Sequence, residues 1–391
     1  MSRSGGYGLK LVFFSEIKWS YLRTRKQQMI RCLPKDWQIL FIEPYTLGRE
    51  NRFQPQREGN LTYLTVPYFK NFSQRWLQAL LRIEPLRGAV ILAITGWVWM
   101  ALRATGFRQP DIVLVSNIYY APVITRLVQQ QPVVYDCNDH PLAFPYTPAW
   151  ASRYFRSLCH RADKIVCCSH ALGEIVPHHH RHKTVFIGNG VDTALFRDGT
   201  VARPEAMSGL PEPILLYLGA LSEWVDYTLL QQVAQSHPDK TLVLVGPVAR
   251  PVHRQIEPLL QLPNVRYLGE VSPEAIAGYI VAADVCLMPF VKNELTRALN
   301  PNKFYEYLAA GKPVVSVDMS PDVTALKEEI FLAADHASFV RQIDTAVQAG
   351  HSRVEARKRI ASANTWQHKA DQMVELILNL KGDGANRLEE M

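Results

Sequence analysis

Short apolar runs recur along the whole chain and alternate with stretches of helical composition. In the first half they occupy residues 9–14, 37–43, 61–67, 111–116, 133–136, 164–169 and 184–187. In the second half they occupy residues 213–219, 241–246, 265–269, 283–289 and 314–317. Strands that are covered by helices on both faces read as nearly continuous apolar runs. This rhythm therefore predicts an α/β fold with a doubly wound parallel sheet in each half.

The length of the chain predicts two domains, because 391 residues exceed what one ordinary hydrophobic core supports. The hydrophobic content of 48% and the charged content of 20% are typical of a globular protein. Gly188, Asn189 and Gly190 allow the bends of a tight turn between the halves, and Pro204, Pro211 and Pro213 follow them. We predict a first domain over 1–195, a linker over 196–212, a second domain over 213–364 and a C-terminal helix over 365–391.

The stretch 291–317, VKNELTRALNPNKFYEYLAAGKPVVSV, concentrates the residues that suit a ligand. We expect Asn300 to cap a helix with Pro301 at its first position. Lys303, Glu306 and Tyr307 then share one face of that helix. A cation at a helix N-terminus suits a phosphate, and a carboxylate one turn later accepts hydrogen bonds from a ribose diol. The alternative is an exposed Lys–Glu ion pair of little energetic value.

The segment KFYEYLAAGKPVV resembles the nucleotide-sugar site of GT-B glycosyltransferases, especially the family 4-like bacterial enzymes that build polysaccharides. GALSEWVD, LVLVGP, NVRYLGEV and ADVCLMPF precede it in that family's order, and IGNGVDTALF resembles the segment that closes its first domain. The resemblance implies two Rossmann-like domains facing a cleft, Gly219 beside the donor diphosphate, Glu306 on the donor ribose, and a C-terminal helix that crosses back to the first domain.

This chain departs from that family's pattern at two positions. A first Glu usually stands eight residues before the second, where this chain has Ala298. A basic residue often follows the glycine at Gly219, where this chain has Leu221, Ser222, Glu223 and Trp224. Lys303, together with Lys292, is then left to balance the diphosphate charge.

The segment YDCNDHP supplies the acidic cluster at a predicted strand end of the first domain. It resembles the (Y/F)D-x-x-D segment of related enzymes, which predicts Asp139 and His140 as catalytic residues near the acceptor hydroxyl. In the alternative, Asp136 caps a turn and His140 packs ahead of a proline. A further resemblance concerns Trp19, Arg23 and Arg25, which match a W-x-x-x-R-x-R region of some of these enzymes and are expected to contact an anionic acceptor. The alternative is that they form the exposed basic start of a helix.

The sequence predicts no metal and no cofactor. The histidines at 178–180 and His182 lack a nearby carboxylate or Cys, so we expect a solvated loop. The six Cys form no CxxC pair and are expected to be reduced thiols of a cytoplasmic protein. The N-terminus lacks the apolar core of a signal peptide. The uncharged run 88–102 falls short of the roughly 20 residues that span a bilayer, which favours a buried or surface-lying helix.

Charge is divided unevenly along the chain. Residues 1–190 hold 24 Lys and Arg against 11 Asp and Glu, a net charge of +13, and the remainder carries −6. The region 70–108 mixes Arg75, Arg82, Arg87, Arg103 and Arg108 with Trp76, Trp97 and Trp99. This pattern favours an anionic membrane surface over nucleic acid, for which no binding motif is present. We expect a peripheral protein on the inner face of the cell membrane.

These features together predict a glycosyltransferase that moves a hexose-type sugar from a UDP- or GDP-sugar to a glycan or lipid-linked acceptor in surface polysaccharide synthesis. A nucleotide-sugar 2-epimerase on the same fold and a non-catalytic partner protein remain alternatives. Retention and inversion are both compatible with the sequence. A dinucleotide oxidoreductase is disfavoured, because no GxGxxG follows the first strand.

Overall fold

The computed structural model describes residues 8–21, 23–69, 75–145, 147–197, 201–350 and 352–389. Residues 1–7, Lys70 and the side chains of Arg75 and Trp76 lie outside the described part, and so do the predictions that rest on them. The chain divides into two compact units. One contains residues up to Ile187 together with those from Ala370 onward, and the other runs from Gly188 to Lys369.

In the described part of the first unit, eight strands form one sheet in the order β3-β4-β2-β1-β5-β6-β7-β8. The strands are β1 (Lys10–Phe14), β2 (Gln38–Tyr45), β3 (Gln56–Glu58), β4 (Leu61–Phe69), β5 (Ile112–Val115), β6 (Val133–Cys137), β7 (Lys164–Cys167) and β8 (Thr184–Phe186). The helices are α1 (Arg25–Cys32), α2 (Arg75–Leu81), α3 (Glu84–Ala104), α4 (Ala121–Leu127), α5 (Ala151–Arg161) and α6 (His170–Ile175). Neighbouring strands are parallel except β3 and β4.

In the described part of the second unit, six parallel strands follow the order β11-β10-β9-β12-β13-β14. They are β9 (Ile214–Leu218), β10 (Thr241–Val245), β11 (Val265–Tyr267), β12 (Val285–Met288), β13 (Val314–Val317) and β14 (Phe331–Ala333). The helices are α7 (Tyr227–Ser236), α8 (His253–Leu260), α9 (Ile276–Ala282), α10 (Glu294–Arg297), α11 (Asn302–Ala309), α12 (Pro321–Thr324), α13 (His336–Ala349) and α14 (Val354–Ala363). The predicted α/β class with two doubly wound sheets is confirmed.

The strands are buried along almost their whole length, as their apolar composition predicts. Side chains of β1 alternate between two cores: Leu11 and Phe13 face one, and Phe14 packs on Tyr120 at the other. The C-terminal helix α15 (Trp366–Glu389) packs on the first of these faces, through Ala370, Met373 and Ile377. Helices therefore cover both faces of the first sheet.

The unit boundary falls at Gly188, whereas the sequence placed the end of the first domain at residue 195. Asn189 belongs to the second unit because its backbone N–H donates to the Asn300 side chain over 3.0 Å. Gly190 lies so close to the backbone of Trp366 that an added Cβ would come within 2.8 Å of its nitrogen. In the predicted linker, Phe196 and Met207 are buried in the core of the second unit.

The helix α3 is longer than the uncharged run that predicted it. It spans 21 residues, including Glu84 and Arg87 in its first turn and Arg103 in its last. Among the described residues, α3 alone is long and apolar enough to cross a membrane by length and composition, and a third of its apolar window is buried. Core helices of soluble proteins meet the same criterion. The length of the helix corrects the premise that the segment is too short to span, and the expected buried or surface-lying helix stays a prediction.

Candidate functional site

The second sheet has its topological switch point at β9, which pairs with β10 on one side and β12 on the other. In open α/β sheets, ligands bind at the carboxyl ends of the strands that flank such a point. Gly219 directly follows β9, and its N–H donates to the Val245 carbonyl at the end of β10 over 2.9 Å. The predicted donor-side glycine therefore lies at the position that the topology favours for a ligand.

Gly246 shapes this edge of the sheet and was not identified from the sequence. An added Cβ at Gly246 would lie 2.1 Å from the Gly219 carbonyl oxygen, and its φ of +138° is rarely adopted by other residues. Only a glycine permits the two loops to approach so closely. A glycine directly after a buried strand was the available signal, because the segment LVLVGP places it at the strand end.

Lys303 and Glu306 lie one turn apart at the start of α11, and both side chains are partly exposed. The Lys303 Nζ donates to the Glu306 Oε2 over 2.8 Å. The cation and the carboxylate therefore meet on one helix face, next to backbone N–H groups of the first turn. Asn302 stands beside them, and its buried Oδ1 accepts no hydrogen bond from any described residue.

Tyr307 is fully buried, which corrects its predicted place on the ligand-facing surface. Its hydroxyl accepts a hydrogen bond from the Leu218 N–H over 3.1 Å and lies 3.3 Å from the Leu218 carbonyl oxygen. Burial raises the pKa of Tyr307 well above its usual value, so the phenol stays neutral. Tyr307 is a positioning residue that joins α11 to the end of β9, directly before Gly219.

Asn300 does not cap α11, because the helix begins at Asn302 with Pro301 as its capping residue. The Asn300 side chain is buried instead and accepts the Asn189 N–H, while its Nδ2 donates to the Tyr305 hydroxyl over 3.3 Å. Asn300 therefore holds the 188–190 turn against the loop before α11. Ala298, where the related enzymes have their first Glu, is buried as well.

A second pair at the same edge was missed by the sequence reasoning. The His336 Nε2 lies 2.8 Å from Oδ2 of Asp226, which also caps α7. The Asp226 N–H donates to the Pro289 carbonyl directly after β12. Lys292, on the loop after β12, donates its ammonium to the Ala334 carbonyl over 2.7 Å. Residues from distant parts of the chain meet here, so local spacing carried no signal for the pair.

The carboxyl edge of the first sheet holds buried ion pairs that the sequence did not predict. The Arg25 guanidinium contacts the Asp136 carboxylate, with Nη2 and Oδ1 3.0 Å apart. The Lys18 ammonium lies 3.2 Å from Oε1 of Glu43. Burial disfavours the Arg25 charge, but Asp136 outweighs this effect and raises the Arg25 pKa. Arg25 was predicted to contact an acceptor, and the structure instead places it inside the first unit.

Trp19 is also buried, and Arg23 is exposed. The Trp19 backbone N–H donates to Glu43, and its indole N–H donates to the Glu58 carboxylate over 2.8 Å. The predicted acceptor-side set is therefore split: Trp19 and Arg25 hold the loop after β1, and Arg23 remains at the surface.

Glu16 and Lys26 form a further pair, bridged to Ser116 at the end of β5. Burial raises the Glu16 pKa, but Lys26 and Ser116 outweigh it, and the net shift is downward. Burial likewise opposes the Lys26 charge, but Glu16, assisted by Asp139, raises the Lys26 pKa. Both residues are therefore charged, and the field of Lys26 acts on Asp139.

Asp139 and His140 lie on the loop after β6 and are half-buried. The Asn138 Nδ2 donates to the Asp139 Oδ2 over 2.6 Å. The His140 Nδ1 accepts the Leu142 N–H over 3.3 Å, which leaves Nε2 to carry the proton of the neutral ring. Asp139 thus combines partial exposure, a hydrogen bond from Asn138 and a nearby cation.

Within the described ranges, no group of three or more His, Cys, Asp or Glu side chains is arranged to hold a metal ion. The histidine run forms a 3-10 turn over His178–Lys183. In this turn His180 is buried against the rings of His160 and His179. Burial and the neighbouring cationic groups lower the His180 pKa.

Two family models match the two halves of the chain. Residues 51–195 match the model described as "Glycosyltransferase Family 4", and residues 212–349 match "Glycosyl transferases group 1". A Bacillus subtilis (strain 168) protein named "Putative teichuronic acid biosynthesis glycosyltransferase TuaH" is 27% identical over 264 residues. That match covers 63% of this chain and 66% of the relative, just under two thirds of its length.

Solved structures with the same fold cover nearly the whole chain. Sucrose-phosphate synthase from Thermosynechococcus elongatus matches with a TM-score of 0.76 at 16% identity, over 96% of this chain and 100% of that one. Anabaena HepE in complex with UDP matches with a TM-score of 0.63 at 17% identity, over 95% of this chain and 100% of that one. An E. coli trehalose-6-phosphate protein bound with UDP-2-fluoro glucose matches with a TM-score of 0.68 at 12% identity, over 95% of this chain and 99% of that one. These likenesses confirm the predicted two-domain fold.

Proposed function

We propose that this chain, whose two halves match the family 4 and group 1 glycosyltransferase models, transfers a hexose-type sugar from a nucleotide-sugar donor to a glycan or lipid-linked acceptor. The observation that carries this proposal is the Lys303–Glu306 pair at the N-terminus of α11, in the unit whose switch point lies at Gly219. Donor binding would exchange this ion pair for ligand contacts. Lys303 would take a phosphate oxygen, and Glu306 would accept the ribose hydroxyls.

The donor proposal is supported by what the structural relatives bind. HepE was solved with UDP, and the E. coli protein was solved with UDP-2-fluoro glucose. A UDP-sugar is therefore the first donor to test, and a GDP-sugar is the second. We propose that no metal is required, because backbone N–H groups and the cations Lys303 and Lys292 can supply positive charge for the leaving diphosphate. For this role the Lys292 ammonium must leave the Ala334 carbonyl.

We assign the acceptor to the first unit. Asp139 is partly exposed at the carboxyl edge of its sheet. It accepts a hydrogen bond from Asn138 and interacts electrostatically with Lys26. A carboxylate so placed can orient or deprotonate an acceptor hydroxyl. His140 offers the same chemistry through Nε2. Surface polysaccharide synthesis is the setting suggested by the name of the Bacillus relative.

Location is proposed from charge. The first 190 residues carry a net charge of +13. The three buried ion pairs of the first unit each contain one basic and one acidic residue, so they contribute nothing to this net charge. The excess positive charge therefore belongs to the remaining side chains, where it would attract the anionic inner face of the cell membrane. The chain would act there as a peripheral cytoplasmic protein.

A panel of donors tests the proposed activity. Thermal shift with UDP, GDP, ADP and dTDP, each with EDTA and with added Mg²⁺, should show stabilisation by one nucleotide irrespective of metal. The matching nucleotide sugar is then offered with glycan and lipid-linked acceptors. Binding without transfer to any acceptor, or release of a free isomerised sugar, would favour the non-catalytic or epimerase alternative.

A further inference from the structure

The helix α3 presents two apolar faces, and the residues that the structure describes cover only one of them. One face packs on β4 and α4 and contains Ile91, Ile94, Thr95, Val98 and Leu102. The opposite face is exposed and contains Pro85, Ala89, Val90, Leu92, Ala93, Gly96, Trp99 and Met100. Leu92 is 60% exposed, Met100 55% and Trp99 46%. We call this exposed face the α3 face.

The α3 face holds almost no hydrogen-bonding side chain. Between Arg87 and Arg103 its exposed residues are aliphatic, glycine or methionine, apart from Trp99, whose indole N–H is its one polar side-chain group. At 1.5 Å per residue this segment is roughly 24 Å long. Monomeric soluble proteins seldom expose a contiguous apolar surface of this kind unless it meets a partner or a membrane.

Basic residues prevail in the sequence around the α3 face, and the Arg103 guanidinium lies against it. Residues 75–108 contain five Arg and a single acidic residue, Glu84. The Arg103 guanidinium lies over the Trp99 ring, with 4.5 Å between its central carbon and the ring centroid. An indole beside a guanidinium suits the boundary between acyl chains and phosphate headgroups.

We propose that the α3 face lies in the headgroup–acyl boundary of an anionic lipid bilayer, parallel to the membrane plane. A lipid surface fits better than a protein partner, because protein interfaces carry about one hydrogen bond per 100–200 Å², and this face offers almost none. Spanning is disfavoured, since Ile94, Val98 and their neighbours would have to leave the core that they share with β4 and α4.

This inference adds apolar insertion to the charge attraction proposed above, and it does not depend on sugar transfer. Charge attraction alone weakens as salt screens it, whereas apolar burial does not. The two contributions can therefore be separated in one assay. Attachment by charge alone would be lost at high salt, and insertion would leave a salt-resistant part.

The test is flotation of the full chain with vesicles of phosphatidylcholine alone and with added phosphatidylglycerol, at low and high salt. The double variant Leu92→Gln/Met100→Gln removes apolar surface and leaves the net charge unchanged. It should weaken partition to both vesicle types by at least about tenfold. Leu378→Gln is the matched control: this leucine is 51% exposed on α15, which packs on the opposite face of the sheet from α3. The control should float like the wild type.

Each outcome bears on the proposal. Salt-resistant flotation that the double variant loses supports it. Flotation that is unaffected by the double variant, or that disappears fully at high salt, overturns apolar insertion. Concentration-dependent dimerisation without lipid, abolished by the double variant and accompanied by no flotation, would assign the face to a second copy and also overturn it. Unchanged thermal unfolding of the double variant shows that its fold is retained.

Discussion

Replacing Arg25 by methionine is expected to destabilise the first unit strongly, because it leaves the Asp136 carboxylate buried without its cation. The Arg25 Nε and Nη2 lie 3.1 and 3.0 Å from Asp136 Oδ1, and both side chains are 3% exposed. Breaking a buried pair from one side costs about 3–5 kcal/mol. Replacing both partners, as in Arg25→Met/Asp136→Leu, should recover most of this loss, because neither charge of this pair then remains buried.

The two single variants should differ in their pH dependence. In Arg25→Met the buried carboxylate has lost its paired cation and can be neutralised by a proton, so the loss of stability shrinks as the pH falls. In Asp136→Asn the Arg25 guanidinium cannot lose its proton, so the loss persists across the same range. This asymmetry follows from the chemistry of the two groups and not from the size of the substitutions.

Amide hydrogen exchange measures this loss locally. Protection of β6 should fall by about two to three and a half orders of magnitude, while β9 of the second unit serves as an internal reference. Arg52→Met is the matched control, because Arg52 pairs with Glu50 at the surface and its loss should leave β6 protection unchanged. If β6 protection in Arg25→Met equals that of the control, Arg25 is not a structural residue and its predicted role at the acceptor regains support.

Three further outcomes are expected. Glu16→Gln should lower the free energy of unfolding at neutral pH. Lys26 outweighs the effect of burial, so the Glu16 pKa in the folded state lies below 4.5. The difference in the free energy of unfolding between variant and wild type, measured by urea titration, should therefore shrink as the pH falls below that value. Tyr307→Phe should cost about 1–3 kcal/mol by leaving the Leu218 N–H without its acceptor, with nucleotide affinity by calorimetry nearly unchanged. Asp139→Asn should lower turnover by roughly 10²- to 10⁴-fold without affecting nucleotide affinity; near-normal turnover would show that this carboxyl is structural.

The fold was predictable because its signal is local. Each apolar run from Leu11 to Val317 shows the composition of a buried parallel strand, and strands alternating with helices admit few other architectures. The short strands β3 and β14 and the full length of α3 were missed. Each of these strands has only three residues, and the helix has charged residues in its first and last turns, which hid its ends.

The site was predictable where neighbours in sequence make it and unpredictable where distant segments meet. Lys303 and Glu306 share a face because they are three residues apart. Asn300 and Tyr307 stand in the same segment, but tertiary contacts with Asn189 and Leu218 bury them. The sequence near a polar residue is the same whether that residue is exposed or paired inside the protein. Arg25 at the start of α1 and Asp136 in β6, 111 positions apart, form such an internal pair.

The donor site at the start of α11 is tested by calorimetric titration of UDP, or of whichever nucleotide the thermal-shift panel selects, into wild type and Glu306→Ala in the presence of EDTA. We expect binding to wild type and a loss of about 1.5–3 kcal/mol in the variant, roughly a 10- to 150-fold weaker Kd, because a hydrogen-bonded charged acceptor is removed. Glu257→Ala, an exposed position on α8, is the control and should bind like the wild type. Equal affinity of Glu306→Ala and wild type, with the fold of both intact, would contradict the assignment of the donor site to the start of α11.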